Sequence, residues 1–411
     1  MSFLKFIKQG IFPSVGIASK GIVALDADRR LKLLDENGVV SSLTNNALFS
    51  RNILINGGIA IQQRVATANT AIPSVSTTTR AGQVADRWAV TTGNATTTSW
   101  AQIDAIGAPE TGLSSRYYGK ITQATNAAKF IFSQFIIAAN VAPIRGSKVR
   151  ISVNLKQFVG SVQTYKLGLL QLTRAGTVDV CPTFISAIGA TGVNPTWGTN
   201  LSAIAPDSTP TGENGTINGS YLEITSNAQW TRSSAVFTIP TDCKNLCVVL
   251  IKDGTGGATD SVGITEVQMT EGTEIIDYVA PPLTEELLKC QRYYCKSFPL
   301  ATVPAASLAV ATAGNGEIGT INRAGATALA SYINIRFPVR MWKVPTIILF
   351  TPVGAGAVPY RISGASPAVQ TTAAQTGATD KGVVVSSTGD AAGVVGDLVG
   401  VHYVADAEFL T

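Results

Sequence analysis

The chain has 411 residues, 45% of them hydrophobic and only 14% charged, against roughly 25% charged in an ordinary soluble domain. It is long enough for two or more domains, and the 39 glycines among its many small residues exclude a coiled coil or helical bundle, which needs abundant Glu, Lys, Arg and Leu. A net charge of +5 comes from 31 basic residues scattered without a block of like charge, so no nucleic-acid partner is expected.

Residues 1–50 read as a separate piece. Phe3, Leu4, Ile7 and Ile11 predict one apolar face of a short helix, with Lys5 and Lys8 off that face. The lysines break the apolar stretch and no small-residue cleavage site follows, so no signal peptide is expected. No window reaches the ~18 uninterrupted apolar residues of a spanning helix, so no membrane partner is expected either. Two β-rich runs, 21–25 and 31–34, flank the turn Asp26-Ala27-Asp28-Arg29, and a second turn follows at Asp35-Glu36-Asn37-Gly38. Such a piece has too little core to stand alone, and is expected to pack on copies of itself or dock on something larger.

From 51 to 283 short alternating segments predict an all-β domain, with strands at 129–138, 148–158, 165–173, 235–240, 245–252 and 263–272. In the second of these, Val149, Ile151, Val153 and Leu155 point inward and Lys148, Arg150, Ser152 and Asn154 outward, the period of a half-buried strand. Recurrent strands separated by turn formers imply an antiparallel β-sandwich. The turn-rich stretch 187–216 is expected to be a long loop serving as a functional surface or an oligomer contact. A linking helix follows within 284–298. Pro281-Pro282 precede it, Thr284 is its expected N-cap, and Glu285 to Cys295 are its expected body. Residues 299–411 return to strands at 332–339, 346–353, 382–387 and 398–409, a second and smaller C-terminal β-sandwich.

Motifs for chemistry are sparse. His402 is the single histidine, and alone it builds no histidine-ligated metal centre; no metal or cofactor is expected. Cys181, Cys243, Cys247, Cys290 and Cys295 are an odd set without zinc-ribbon spacing, read as free thiols of a chain folded in a reducing cytoplasm. The acidic pairs Asp26/Asp28, Asp35/Glu36, Glu271/Glu274, Glu285/Glu286 and Asp406/Glu408 sit at turns, a helix start or near the chain end, where solvated carboxylates are expected. No catalytic residue, and no enzyme, is therefore expected, although two carboxylates suffice for glycoside cleavage. Aromatic rings outside obvious strands can stack on pyranose C–H faces. The candidate ligand contacts of this kind are Trp100, Tyr117, Tyr118 and Trp197. Trp88, Trp230 and Trp342 fall in strand-like runs and are assigned to the core. Asp86 and Arg87 are expected to make local ion-pair or backbone contacts.

Three segments carry a resemblance. NILINGGIAIQQRV (52–65) followed by VADRWAV (84–90) resembles the opening of a family of bacteriophage tail-fibre and virion-appendage domains. GITEVQMTEGTEIIDYVAPPLTEELLKCQRYYCKS (263–297) resembles the closing motif of those domains. FPVRMWKVPTIILF (337–350) is similar to a strand pair of the small domain that follows them. The resemblance spans 52–411 in the family's order. It departs at Gln62-Gln63-Arg64, which lacks the usual tryptophan, and at Trp342, where arginine is common. It implies a jelly roll like a carbohydrate-binding module, assembly as a homotrimer, and a place on the virion as a tail fibre or spike that binds host surface glycan. Residues 1–50 resemble the hairpin by which such proteins attach to other virion proteins, and a three-fold axis supplies that undersized piece with partner chains. A purely structural head, neck or collar fibre is the alternative, and a polysaccharide depolymerase a more remote one.

Overall fold

The computed structural model describes most of residues 52–409, apart from short stretches, together with the backbone of three strands between 22 and 42. Those strands, Ile22–Leu25, Leu31–Leu34 and Val40–Ser42, form an antiparallel sheet in chain order, and the turns expected at 26–29 and 35–38 lie outside the described residues. The expected helix at residues 3–11 lies outside the described residues.

Beyond them, two sheets stack as a jelly-roll sandwich. The first runs in the order Pro206–Ser208, Thr231–Thr238, Lys148–Val159, Ser261–Glu271, Tyr117–Gln123, Thr98–Asp104 and Thr70–Ala71. The second runs Thr216–Asn218, Tyr221–Thr225, Thr164–Leu172, Asn245–Lys252, Phe130–Ile136, Trp88–Thr92 and Gln83–Ala85. Among the longer strands the chain passes repeatedly from one sheet to the other, and their pairings are antiparallel. Val149, Ile151, Val153 and Leu155 all face the core between the sheets. There Phe132 stacks on Trp88 at 4.5 Å and on Trp100 at 5.9 Å between centroids.

The second sheet is buried on both faces. Phe130, Phe132, Leu167, Leu169, Val248 and Leu250 point into the sandwich, while Ile131, Phe135, Leu170, Leu172, Cys247, Val249 and Ile251 face a second core on the opposite side. This double burial is why NLCVVLIK reads as a continuous apolar run rather than an alternation. The cover comes from two places. One is the segment that carries Phe184, Ile185, Trp197 and Leu201; the stretch expected to be an open loop folds back within it, Leu201–Ile204 joining Thr164–Leu172 before Pro206–Ser208 crosses to pair with Thr231–Thr238 in the first sheet. The other is Tyr293, Trp342 and Phe409 from the C-terminal half.

The linking helix is shorter than expected and begins earlier, spanning Leu283–Gln291 with Pro282 at its N-cap and no side-chain cap from Thr284. Tyr294 and Cys295, expected to be helical, lie in the strand Tyr294–Lys296 of the C-terminal domain, so Cys290 is in the last turn of the helix and Cys295 in a sheet. All five cysteines are free and buried. The C-terminal domain is organised around Leu398–Asp406. Its first half pairs with Glu317–Arg323 and Tyr360–Arg361, and its second half with Tyr294–Lys296 and Thr346–Phe350. Ile333, Ile335, Val383, Val385, Val401 and Tyr403 fill the core of this smaller sandwich.

Charged groups fasten the two domains together. Arg87, expected to act locally, instead reaches Glu408, 321 residues away, and lies over the ring of Tyr293 at 3.6 Å. Arg64 pairs with Asp406 and lies over the ring of Tyr294 at 3.7 Å. The half-buried Asp406 and the buried Glu408 are therefore partners of arginine rather than solvated carboxylates. Gln63 donates to Asp86 at 2.5 Å, and Lys296 donates to the carbonyl of Gln63 at 2.7 Å. Two tyrosines of the QRYYCK run thus stack on arginines from the QQR and DRW runs, which explains those motifs as a structural joint.

His402 is buried, its ring 4.1 Å from Phe298 and its Nδ1 2.9 Å from the Ser297 hydroxyl. Burial lowers its pKa from the ordinary value. Below about pH 6.5 the unfolded chain therefore takes up a proton that the folded ring resists, and stability present above that pH is lost as pH falls. Asp86 acts with the opposite sign, because burial raises its carboxyl to about 6 and lets the folded state bind the extra proton. A comparison with His402→Gln isolates the histidine. In thermal unfolding between roughly pH 7 and 5 the wild type is expected to lose more of its melting temperature than the variant does; parallel curves would contradict the assignment.

Candidate functional site

The outer face of the first sheet carries the most distinctive surface. Strand parity turns Lys148, Arg150, Ser152, Asn154, Lys156 and Phe158 outward. Of these, Arg150, Ser152 and Asn154 are buried rather than solvated. Arg150 meets Glu213 at 3.2 Å, and Asn154 donates to Glu266 at 2.5 Å. Arg232 meets Glu213 and the exposed Asp277, each at 3.0 Å, and extends this polar row toward solvent.

At one end of the face three rings cluster. Phe158 stacks on Tyr118 at 5.4 Å, and Trp230 meets Tyr118 edge-on at 5.3 Å. Gly263 makes this arrangement possible, since a Cβ there would collide with the rings of both Trp230 and Phe158. Lys156 and Lys120 flank Gly263 in register on the neighbouring strands, with their ammonium groups 4.7 and 5.2 Å from the Phe158 centroid. The Glu110 carboxylate accepts from Trp230 Nε1 at 3.0 Å and from Lys156 at 2.5 Å. Trp230, Phe158, Lys120 and Lys156 are all half-buried, whereas Tyr118 is covered by its neighbours. Burial, reinforced by Glu110, raises the Tyr118 hydroxyl to about 12 and keeps it a neutral hydrogen-bonding group. Apolar ring surface bordered by fixed carboxylate and ammonium groups can hold a flat, hydroxyl-rich ligand.

The four sequence candidates are dispersed, and only Tyr118 joins this cluster. Trp100 is 1% exposed in the sandwich core, donating to Gln62 at 2.8 Å, and cannot touch a ligand. Trp197 packs on Phe184 outside the second sheet and donates to the Tyr221 hydroxyl at 2.9 Å. Tyr117 is half-buried beside Arg116, whose guanidinium lies 5.0 Å from its ring. Trp230, assigned to the core from sequence, stands outside it immediately before the strand Thr231–Thr238. Two signals were available: Trp230 follows the turn-forming Ser226-Asn227-Ala228-Gln229, and Phe158 shares the outward parity of Lys148. Glu110 had no sequence signal. The remaining expected core tryptophans differ from one another: Trp88 is in the sandwich core, while Trp342 is half-buried where both domains meet.

No known family matches the chain, and no curated protein is similar to it. Among solved structures it is similar to TmCBM61 in complex with β-1,4-galactotriose, at 11% identity over 54% of this chain and 100% of the other, with a TM-score of 0.29. A putative sugar-binding protein from Bacteroides thetaiotaomicron is also similar, at 11% identity over 54% of this chain and 100% of that one, with a TM-score of 0.32. A third similarity is to the enzymatically active domain of bacteriophage CBA120 tailspike protein 4, at 9% identity over 54% of this chain and 21% of that one, with a TM-score of 0.29. These overlaps are distant, and the β-sandwich stands on the sheets described above.

Proposed function

We propose that this protein binds carbohydrate through the Trp230–Phe158 face and does so as a non-enzymatic appendage of a bacteriophage particle. The observation that carries the binding reading is the half-buried Trp230 ring held by Glu110 beside Lys156, a stacking surface with hydroxyl-binding groups at its border. The virion reading is supported by the three sequence segments that resemble phage appendage domains, in the same order. In this reading residues 1–50 join other virion proteins, the chain is a homotrimer, and the ligand is host surface glycan. Several weak sites on one particle act together, so a modest single-site affinity suffices. A binding rather than catalytic role is supported by the Asp406/Glu408 pair, whose carboxylates are taken up by Arg64 and Arg87.

The test is an array of host-derived and reference glycans probed with the full chain and with Trp230→Ala. Wild type is expected to retain a defined subset, and the variant to bind it about tenfold more weakly, a loss of about 1.4 kcal/mol. Equal binding by both proteins would remove this face from consideration.

A further inference from the structure

A cleft opens between the linking helix and the C-terminal domain. The helix Leu283–Gln291 and the residue after it present Glu285, Leu288, Lys289 and Arg292 along one stripe, and the segment Val339 to Trp342 with Asp380 faces them across a cleft of about 630 Å³. That volume falls within the roughly 300–1,000 Å³ of small-ligand sites, which concentrate at such junctions. Both walls are fixed: the Trp342 amide donates to the Arg292 carbonyl at 3.1 Å, the Met341 amide to the Asp380 carbonyl at 2.8 Å, and Trp342 Nε1 to the Ala407 carbonyl. The cleft is therefore preformed, with Leu288, Val339 and the half-buried Trp342 as its apolar lining.

Its charges are unevenly committed. Lys289 pairs with Glu285 at 2.7 Å. Arg340 binds Asp380 through Nε at 2.5 Å, which leaves its terminal Nη groups unengaged among the described residues. The Arg292 side chain is exposed and has no hydrogen-bond or ion-pair partner among the described residues. Two guanidinium groups thus line one cleft with donors to spare, and their planar forks match carboxylate and phosphate oxygens. The geometry points to a second saccharide site that selects sugars carrying an anionic group, carboxylate or phosphate, with Arg292 and Arg340 binding the anion and Trp342 contacting the sugar ring. This site is independent of the Trp230 face.

The experiment measures direct binding of digalacturonate, glucose 6-phosphate and neutral galactobiose to the full chain by calorimetry. At least one acidic probe is expected to bind about tenfold or more tightly than the neutral one, and which acidic probe wins identifies the anion. Arg292→Gln and Arg340→Gln are each expected to weaken that probe about tenfold. Arg292→Gln is expected to leave the melting temperature unchanged, because the side chain is exposed, so its loss of binding reports on the site and not on the fold. Failure of both acidic probes to bind, equal affinity for the neutral sugar, or full affinity in both variants would overturn the proposal. Because each acidic sugar is measured by itself, a failure of the Trp230 face leaves this result interpretable.

Discussion

Replacing Arg87 by methionine is expected to cost the folded protein about 3–5 kcal/mol. Arg87 and Glu408 have side-chain exposures of 2% and 1%, and Arg87 also donates to the Phe135 carbonyl at 2.6 Å. Removing the guanidinium leaves the buried Glu408 carboxylate with only the more distant Arg64, at 3.4 Å, and takes a cation from the face of Tyr293. The physical cost is dominated by a buried carboxylate that has lost its nearer counter-charge, rather than by the net worth of the pair. The double variant Arg87→Met, Glu408→Leu removes both charges and is expected to recover most of the loss. Denaturant unfolding of the three proteins checks this. A single variant within about 1 kcal/mol of wild type would mean that the joint does not hold the domains as described.

Trp100→Ala is expected to be comparably damaging, at about 3–5 kcal/mol, and for a different reason. Its ring lies between Phe132 and Gly119, where a Cβ on the glycine would collide with the indole. Truncation empties a volume that Gly119 cannot refill, and it leaves the Gln62 carbonyl oxygen without the Nε1 donor. Trp230→Ala, by contrast, removes a ring that rests on the outside of the sheet, and its main expected effect is on binding. Unfolding curves of the two variants therefore separate a core tryptophan from a surface one. Similar stabilities for both would contradict their assignment to opposite sides of the sheet.

The main strands were legible because local and global signals agreed. The alternation from Lys148 to Leu155 gave the inward face directly, and the run at 245–252 gave a strand whose cover on both sides only the structure shows. What escaped were contacts made across long sequence separations. Arg87 and Glu408 are each unremarkable in their own surroundings, and nothing local identifies one as the partner of the other. The same holds for Glu110, which reaches the site from a loop 120 residues away from Trp230. The stretch 187–216 looked like open loop because its turn formers hid three short strands, two of which depend on long partners for their register. The helix was extended too far because the Arg292-Tyr293-Tyr294-Cys295 run continues its pattern, while sheet pairing with Leu398–Asp406 captures Tyr294 and Cys295 first. Asn56-Gly57-Gly58 shows how a motif can be structural: Asn56 adopts φ 59°, and a Cβ on Gly57 would strike the Val267 carbonyl.

Adsorption of the labelled full chain to susceptible host cells, with intact phage as competitor and Trp230→Ala measured in parallel, tests glycan recognition by this face on the cell itself. Saturable binding that blocks phage adsorption is expected, weakened about tenfold in the variant. A folded protein that ignores the cells, or binds them equally well without the Trp230 ring, would contradict glycan recognition through this face.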